Sequence, residues 1–154
     1  MDAGVTRHFT ASAFVTHRDQ VLLLLHSEKR IWLPPGGHVE PDEAPAAAAE
    51  REVWEETGLR VEITSPRLPA GVAVAAPRPE ASLEVEVAPG HVHLDLVYFA
   101  RPTPPEPLPP LRPNEEAAEL RWWSAAEVRA ADPSGPLPAD VAALALRALA
   151  DGRR

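Results

Sequence analysis

The segment from Leu33 to Leu59 constrains the fold of this chain more than any other stretch. It opens with two prolines and two glycines, which give a rigid turn followed by backbone that a ligand can approach closely. A helix is predicted from Glu43 to Thr57, because Pro45 suits its first turn and Gly58 suits the position after its last turn. Asp42 is the expected N-cap. The remaining chain is therefore expected to pack around a tight turn that leads directly into one helix.

Three glutamates of the predicted helix, Glu52, Glu55 and Glu56, share one face, because residues three and four apart are neighbours on a helix. Each like-charged pair at this spacing costs about 0.2–0.5 kcal/mol. Arg51 lies four residues before Glu55 and offsets part of this repulsion. A divalent cation such as Mg²⁺, which prefers carboxylate and phosphate oxygens, would offset more of it. The alternative is a solvated acidic helix face, the usual role of a run of charges.

The same segment resembles the Nudix box, Gly-x5-Glu-x7-Arg-Glu-U-x-Glu-Glu-x-Gly-U, in which U is a bulky aliphatic residue. The residues that match its specified positions are Gly37, Glu43, Arg51, Glu52, Val53, Glu55, Glu56, Gly58 and Leu59. The resemblance implies an α/β fold, an α/β/α sandwich with a mixed β-sheet, formed as a single domain over residues 1–154. It also implies an enzyme that hydrolyses the diphosphate bond in a nucleoside diphosphate linked to another moiety.

The resemblance implies a cofactor and its ligands as well. The cofactor is Mg²⁺, with Mn²⁺ as the alternative. Its implied ligands are the carbonyl of Gly37 and the carboxylates of Glu52, Glu55 and Glu56. Arg51 and Glu43 are implied to hold those carboxylates in place. For Glu43 the alternative is a favourable interaction of its charge with the first turn of the helix.

The general base of the reaction is expected to be a glutamate, and two locations are open. In similar proteins it is either a glutamate of the box or one on a loop before the last strand. The loop candidates are Glu115, Glu116 and Glu119, and a merely solvated acidic loop is the alternative. The predicted catalytic residues are Arg51, Glu55, Glu56 and Glu116.

Other residues are candidates for contacts with the substrate. Lys29 and Arg30 precede the box and either meet phosphate or remain solvated, and His38 follows the glycine pair. One face of a predicted strand carries His91, His93 and Asp95. That face is either a wall that recognises a base, or a further metal-like site, or an ordinary polar strand face, and we favour the last interpretation. The core is expected to include Trp32, Trp122 and Trp123.

Composition restricts the partners of the chain. The net charge of −8 and the pI of about 5.2 argue against a non-specific binder of nucleic acid or of a membrane surface. Anionic substrates remain compatible, because a metal ion inverts the local charge. The chain has no cysteine, which excludes a disulfide and a thiolate metal site and leaves the redox compartment open. It has no apolar run of membrane-spanning length and no leader-like start, so we expect a cytoplasmic protein. The expected partner is a small-molecule nucleotide, and a homodimer is compatible with the sequence.

Periodicity and turn residues predict the remaining elements. Strands are predicted at 7–16, 21–25, 31–33, 60–68, 82–87, 91–100 and 119–123. Two further helices are predicted at 124–132, capped by Ser124, and at 138–150. An irregular stretch is predicted at 68–81, and the proline-rich segment 101–114 is predicted to be a semi-rigid surface loop.

The substrate is less constrained than the reaction. A nucleoside triphosphate, cleaved to a monophosphate and pyrophosphate, fits the modest size of the chain and is favoured. ADP-ribose or a nucleotide sugar is the alternative. Diadenosine polyphosphates and diphosphoinositols are disfavoured, because the Pro-Gly-Gly turn lacks the lysine that such members often carry. A non-catalytic nucleotide sensor is the rival function, although the complete set of box glutamates argues against it.

Overall fold

The computed structural model describes residues 4–69, 71 and 73–152, and these form eight strands and three helices. The strands are β1 (Thr6–His17), β2 (Gln20–His26), β3 (Trp32–Leu33), β4 (Gly36–His38), β5 (Val61–Ile63), β6 (Ala81–Ala88), β7 (His91–Pro102) and β8 (Ala117–Ser124). The helices are α1 (Pro45–Thr57), α2 (Ala125–Ala130) and α3 (Ala139–Asp151). No helix in the described part of the chain is long and apolar enough to cross a membrane.

The strands form one mixed sheet, in which β1 and β7 are central. These two strands run parallel, from Thr6 opposite His91 to Val15 opposite Ala100. On its other side β1 pairs antiparallel with β4 and then with β2. Strands β5 and β6 pair with successive parts of β7, and β3 and β8 pair with β2, all antiparallel. The first half of β1 is therefore held between β7 and the short strand β4.

Side chains alternate along β1 between two hydrophobic clusters, because successive residues of a strand point to opposite faces. Ala13 and Val15 lie in the cluster that includes Val53 of α1. Phe14 lies in the other cluster, with Leu144 of α3. Helices thus cover both faces of the sheet, and the predicted α/β/α sandwich with a mixed β-sheet is confirmed.

Helix α1 begins two residues later than predicted. Its N-cap is Ala44, which makes no side-chain capping bond, so the prediction that Asp42 caps the helix is wrong. Asp42 has a φ of 64° and lies in the turn before the helix. Glu43 closes this turn, because its carboxylate accepts a hydrogen bond from the backbone N–H of Glu40. Pro45 then occupies the first turn, and Gly58 ends the helix in the left-handed conformation with a φ of 72°, both as predicted.

Two other differences concern strands. The strand predicted at 60–68 is only Val61–Ile63. Pro66 has no backbone N–H and cannot donate a hydrogen bond to the sheet, so the strand does not extend to residue 68. Strand β4 was not expected, since its Gly-Gly-His sequence carries no strand pattern. In the stretch 68–81, Ala70 and Val72 lie outside the described residues, and one isolated bridge joins Arg67 to Pro77.

The remaining predictions follow the structure closely. The proline-rich segment, predicted as a loop at 101–114, is irregular from 103 to 116, because Arg101 and Pro102 extend β7 and pair with β5. Its leucines at 108 and 111 pack against the α1 side of the core. Ser124 caps α2 through a reciprocal pair of hydrogen bonds with Glu127, as predicted. Trp32 and Trp123 are buried in the core with ring centroids 5.2 Å apart, and Trp122 is partly buried on the other side of the sheet.

Candidate active site

The two glycines of β4 allow α1 to approach the backbone of the sheet closely. A Cβ atom at Gly37 would lie 2.5 Å from the carboxylate of Glu52. A Cβ atom at Gly36 would lie 2.6 Å from the carbonyl oxygen of Ala11 on β1. Both separations are shorter than real Cβ contacts, so the position of Glu52 depends on Gly37, and the close approach of β4 to β1 depends on Gly36.

Glu56 is the most buried of the three glutamates, with 3% of its surface exposed. Its Oε1 accepts a hydrogen bond of 2.9 Å from the backbone N–H of Gly36. Burial, aided by the charges of Glu52, Glu116 and Glu55, raises the pKa of Glu56 to about 8, although the Gly36 N–H opposes the shift. At neutral pH this carboxyl is therefore protonated unless a cation stabilises its charged form.

Burial also raises the pKa of Glu52, while the guanidinium of Arg51 opposes that rise. The third glutamate of the face differs from the other two. The side chain of Glu55 is 50% exposed, and its carboxylate lies 3.2 Å from Nη1 of Arg51. The structure thus places Glu52 and Glu56 toward the interior and leaves Glu55 at the rim, paired with Arg51.

Arg51 joins the parts of this carboxylate group through five hydrogen bonds. Its Nε and Nη2 donate to both oxygens of Glu43, at 2.8 and 3.0 Å. Its Nη1 donates to Glu52 at 2.9 Å and to Glu55, and its Nη2 also donates to the backbone carbonyl of His38 at 3.0 Å. The bond to Arg51 lowers the pKa of Glu43, and the paired carboxylates raise the pKa of Arg51. Arg51 and Glu43 therefore hold α1 and the turn before it in one geometry.

A cleft of about 770 Å³ opens beside this group, which is within the usual range for small-molecule sites. Its lining includes Glu52 and Glu56 from α1, Lys29 from the loop after β2, and Glu115 and Glu116 from the loop before β8. A second cavity, of about 470 Å³, lies beside the C-terminal end of α3 and holds none of the box residues. The larger cleft is therefore the candidate active site.

Some residues predicted for the site lie elsewhere. Among the described residues, Arg30, Glu55 and Glu119 do not line the cleft. Glu119 lies on β8 opposite Leu25, and so belongs to the strand and not to the loop. Of the loop glutamates, Glu116 is close enough for its charge to raise the pKa of both Glu52 and Glu56.

The strand face that carries His91, His93 and Asp95 is more ordered than a solvated polar face. The carboxylate of Asp95 accepts hydrogen bonds from the hydroxyls of Thr10 and Ser12, at 2.9 and 2.8 Å. Burial raises the pKa of Asp95, and the two hydroxyls oppose the shift.

The histidines of that face have neighbours that the sequence pattern did not reveal. His8 lies opposite His93 in the β1–β7 pairing, and His38 lies opposite Thr10 in the β1–β4 pairing, so all four side chains share one face. Burial, followed by the neighbouring His38 and His91, lowers the pKa of His93. The matching alternation of polar residues in β1 was visible in the sequence, but its partner strand was not.

Other cleft residues also escaped sequence reasoning. Strand β6 contributes Val85 and Val87, and the loop after β2 contributes His26, Ser27 and Glu28. The only available signal was that this loop leads into the glycine turn. The pairing of β6 with β7, which carries the two valines to the cleft, depends on residues far apart in the chain.

Comparisons with known proteins agree with this geometry. The family model described as NUDIX domain matches residues 6–144. The m7GpppN-mRNA hydrolase NUDT17 of Bos taurus is 30% identical over 120 residues, which cover 73% of this chain but only 39% of that protein. A crystal structure of a NUDIX family hydrolase from Clostridium perfringens has a TM-score of 0.79 and 31% identity, covering 97% of this chain and 99% of that one.

A second structure shares the fold alone. It is an ADP-ribose pyrophosphatase from Streptococcus suis, with a TM-score of 0.63 and 20% identity, covering 97% of this chain and 94% of that one. The family match covers the whole box and all eight strands, and the two structures superpose over nearly the entire chain. The chain therefore belongs to the Nudix hydrolase family.

Proposed function

We propose that this chain hydrolyses a diphosphate bond in a nucleoside diphosphate linked to another moiety, with a divalent metal ion as its cofactor. The observation that carries the proposal is the state of Glu56. This carboxyl is buried and has a pKa of about 8, yet it faces Glu52 in a cleft open to solvent. A buried carboxyl of this kind gains stability when a cation neutralises it.

The donor set fits Mg²⁺ or Mn²⁺. Both ions take oxygen ligands, and Glu52, Glu56 and Gly37 all line the cleft. The carboxylates of the two glutamates and the carbonyl of Gly37 are proposed ligands. Glu55 is the third proposed carboxylate ligand, and it reaches the site only by exchanging its bond to Arg51. When bound, the ion supplies charge neutralisation for phosphate oxygens and a lower pKa for a coordinated water.

The protein residues have separate tasks in this proposal. Arg51 fixes the orientation of Glu52 through a hydrogen bond of 2.9 Å, while Glu43 fixes Arg51. Glu116 is the proposed general base, because it lines the cleft, is exposed to water and lies near both buried glutamates. A glutamate of the box, Glu55 or Glu56, is the alternative base.

The walls of the cleft suit a nucleotide. Lys29 offers a positive charge to phosphate, and Val85 and Val87 offer an apolar surface to a base or ribose. A nucleoside triphosphate is the favoured substrate, and ADP-ribose or a nucleotide sugar is the alternative. The bovine relative is named an mRNA cap hydrolase, and the streptococcal one is named an ADP-ribose pyrophosphatase. Capped RNA and ADP-ribose are therefore included among the substrates to be tested.

The test is phosphorus NMR of the products from a panel of candidate substrates. The panel contains nucleoside triphosphates, ADP-ribose, sugar nucleotides, dinucleoside polyphosphates and a capped oligonucleotide, each with Mg²⁺ and with chelator. We expect metal-dependent cleavage of the diphosphate bond in one class, with a nucleoside triphosphate giving pyrophosphate. Nucleotide binding without turnover of any member would contradict the proposal and support a sensor.

A further inference from the structure

Three histidines lie in the same cleft region but outside the carboxylate group. His38 on β4 and His91 and His93 on β7 each offer one ring nitrogen, and these atoms all lie within 4.8 Å of one another. The pairings of β1 with β4 and with β7 bring them together from distant parts of the chain. We call these three residues the histidine group.

The buried nitrogen of His91 distinguishes this group from an ordinary polar strand face. Its Nε2 is inaccessible to solvent, and it has no hydrogen-bond partner among the described residues. Buried polar atoms are nearly always satisfied, so this nitrogen points to a ligand. The neighbouring rings meet at their edges, with centroids 5.1 Å apart for His91 and His93 and 4.9 Å apart for His38 and His93.

We propose that His38, His91 and His93 form a second metal site, which binds a late first-row transition metal ion such as Zn²⁺. Imidazole nitrogen is a preferred donor for Zn²⁺, Ni²⁺ and Cu²⁺, whereas Mg²⁺ prefers oxygen. Three histidines with an open fourth position form a recurrent zinc site in proteins. The site goes beyond the proposed hydrolysis, whose ligands come from the oxygen atoms of α1 and β4.

The geometry requires only a small adjustment. With Zn–N bonds of about 2.0–2.1 Å in a tetrahedron, the bound nitrogens lie about 3.4 Å apart. The widest separation, 4.8 Å, therefore closes by roughly 1.4 Å on binding. Rotation of exposed His38 and half-buried His93 provides this movement. His38 and His93 also line the cleft, so a water or phosphate oxygen reaches an ion held there.

The first experiment measures Zn²⁺ affinity by competition with a chromogenic chelator on the tag-free chain. Excess Mg²⁺ is present throughout, because it occupies oxygen ligands and competes poorly for imidazole. We expect one tightly bound Zn²⁺ per chain and an affinity at least about 100-fold weaker in His91→Gln and in His93→Gln, since even indirect partners of a ligand contribute 10–100-fold. His17→Gln, a histidine paired with Glu106 outside the cleft, is the matched control and should bind Zn²⁺ normally.

The second experiment separates the two metal sites and does not depend on the histidine variants folding. Co²⁺ added to the unaltered chain should give the intense visible bands of a four-coordinate site with nitrogen ligands, and these bands should persist in Glu52→Gln. Weak bands of an all-oxygen site would overturn the proposal. So would Zn²⁺ binding that is lost in Glu52→Gln but kept in folded His91→Gln, or the absence of tight binding to the unaltered chain.

Discussion

The carboxylate group and the histidine group lie on opposite sides of β4, yet they are held together in different ways. Arg51 connects Glu43, Glu52 and Glu55 through hydrogen bonds of 2.8–3.2 Å, and the backbone N–H of Gly36 binds Glu56. The histidines touch one another only through ring contacts, and one buried nitrogen among them lacks a partner in the described part of the chain. One group is therefore positioned in advance, and the other retains freedom to move.

The difference follows from the charge of the side chains. Carboxylates that are brought together repel unless a cation is present, so the fold supplies Arg51 and still leaves Glu52 and Glu56 with raised pKa values. Imidazoles are neutral for much of the physiological pH range and can be gathered without a fixed counter-ion. An acidic metal site therefore needs a positively charged partner such as Arg51 in the folded protein. The three histidines need only the strand register that brings them together.

The largest expected effect comes from replacing Glu56, the most buried of the proposed metal ligands, with glutamine. In Glu56→Gln, the turnover number should fall by about 10³-fold, or about 4 kcal/mol, because a metal ligand is lost while the side-chain volume is kept. Steady-state kinetics with the substrate found by phosphorus NMR measures the loss. Circular dichroism should show an unchanged fold, since the buried amide replaces a carboxyl that is already uncharged at neutral pH. Full activity in this variant would remove Glu56 from the metal site.

The next effect tests the proposed base. Glu116→Gln should lower the turnover number by about 10²-fold, in the usual range for loss of a general base, with little change in metal affinity. Glu119→Gln is the matched control, because this exposed glutamate lies on β8 away from the cleft and should retain activity. Equal activity of Glu116→Gln and the unaltered chain would assign the base to the box.

A smaller effect is expected from replacing the guanidinium of Arg51, which donates hydrogen bonds to several partners at once. Arg51→Lys keeps the charge but cannot hold Glu43, Glu52 and His38 together, so the free energy of unfolding should fall by about 2 kcal/mol. Urea denaturation measures this change. Arg101→Lys, at an exposed pair with Glu62, should cost no more than about 0.5 kcal/mol. Equal losses in the two variants would show that Arg51 does not organise the site.

The smallest effect is a pH dependence of stability. The pKa of Glu56 rises on folding from 4.5 to about 8, so the folded state holds the extra proton and stability falls as pH rises across this interval. In chelator, the difference in unfolding free energy between the unaltered chain and Glu56→Gln should change by about 1 kcal/mol per pH unit between pH 5 and 7. Urea titrations at several pH values measure the slope, and parallel curves for the two proteins would contradict the assignment.

The sequence was sufficient wherever the structure depends on local spacing. The contact of Arg51 with Glu55 follows from helical periodicity, and the left-handed end at Gly58 follows from its lack of a side chain. The sequence was insufficient where strands that are far apart in the chain pair with each other. The bonds of Asp95 to Thr10 and Ser12 need the parallel register of β1 and β7, which no local pattern encodes. The N-cap error has a local origin instead: in the turn closed by Glu43, Asp42 has a φ of 64°, outside the extended conformation that a capping residue adopts.

Strand β4 is only three residues long, and the carboxylates of α1 and the three histidines lie on its opposite sides. The carbonyl of His38 anchors Arg51 on one side, while the ring of the same residue contacts His93 on the other. Its neighbour Gly37 cannot accept even a methyl group without displacing Glu52. A shift of β4 would therefore change the geometry of the carboxylates and of the histidines together. Substitutions along β4 should affect both sites.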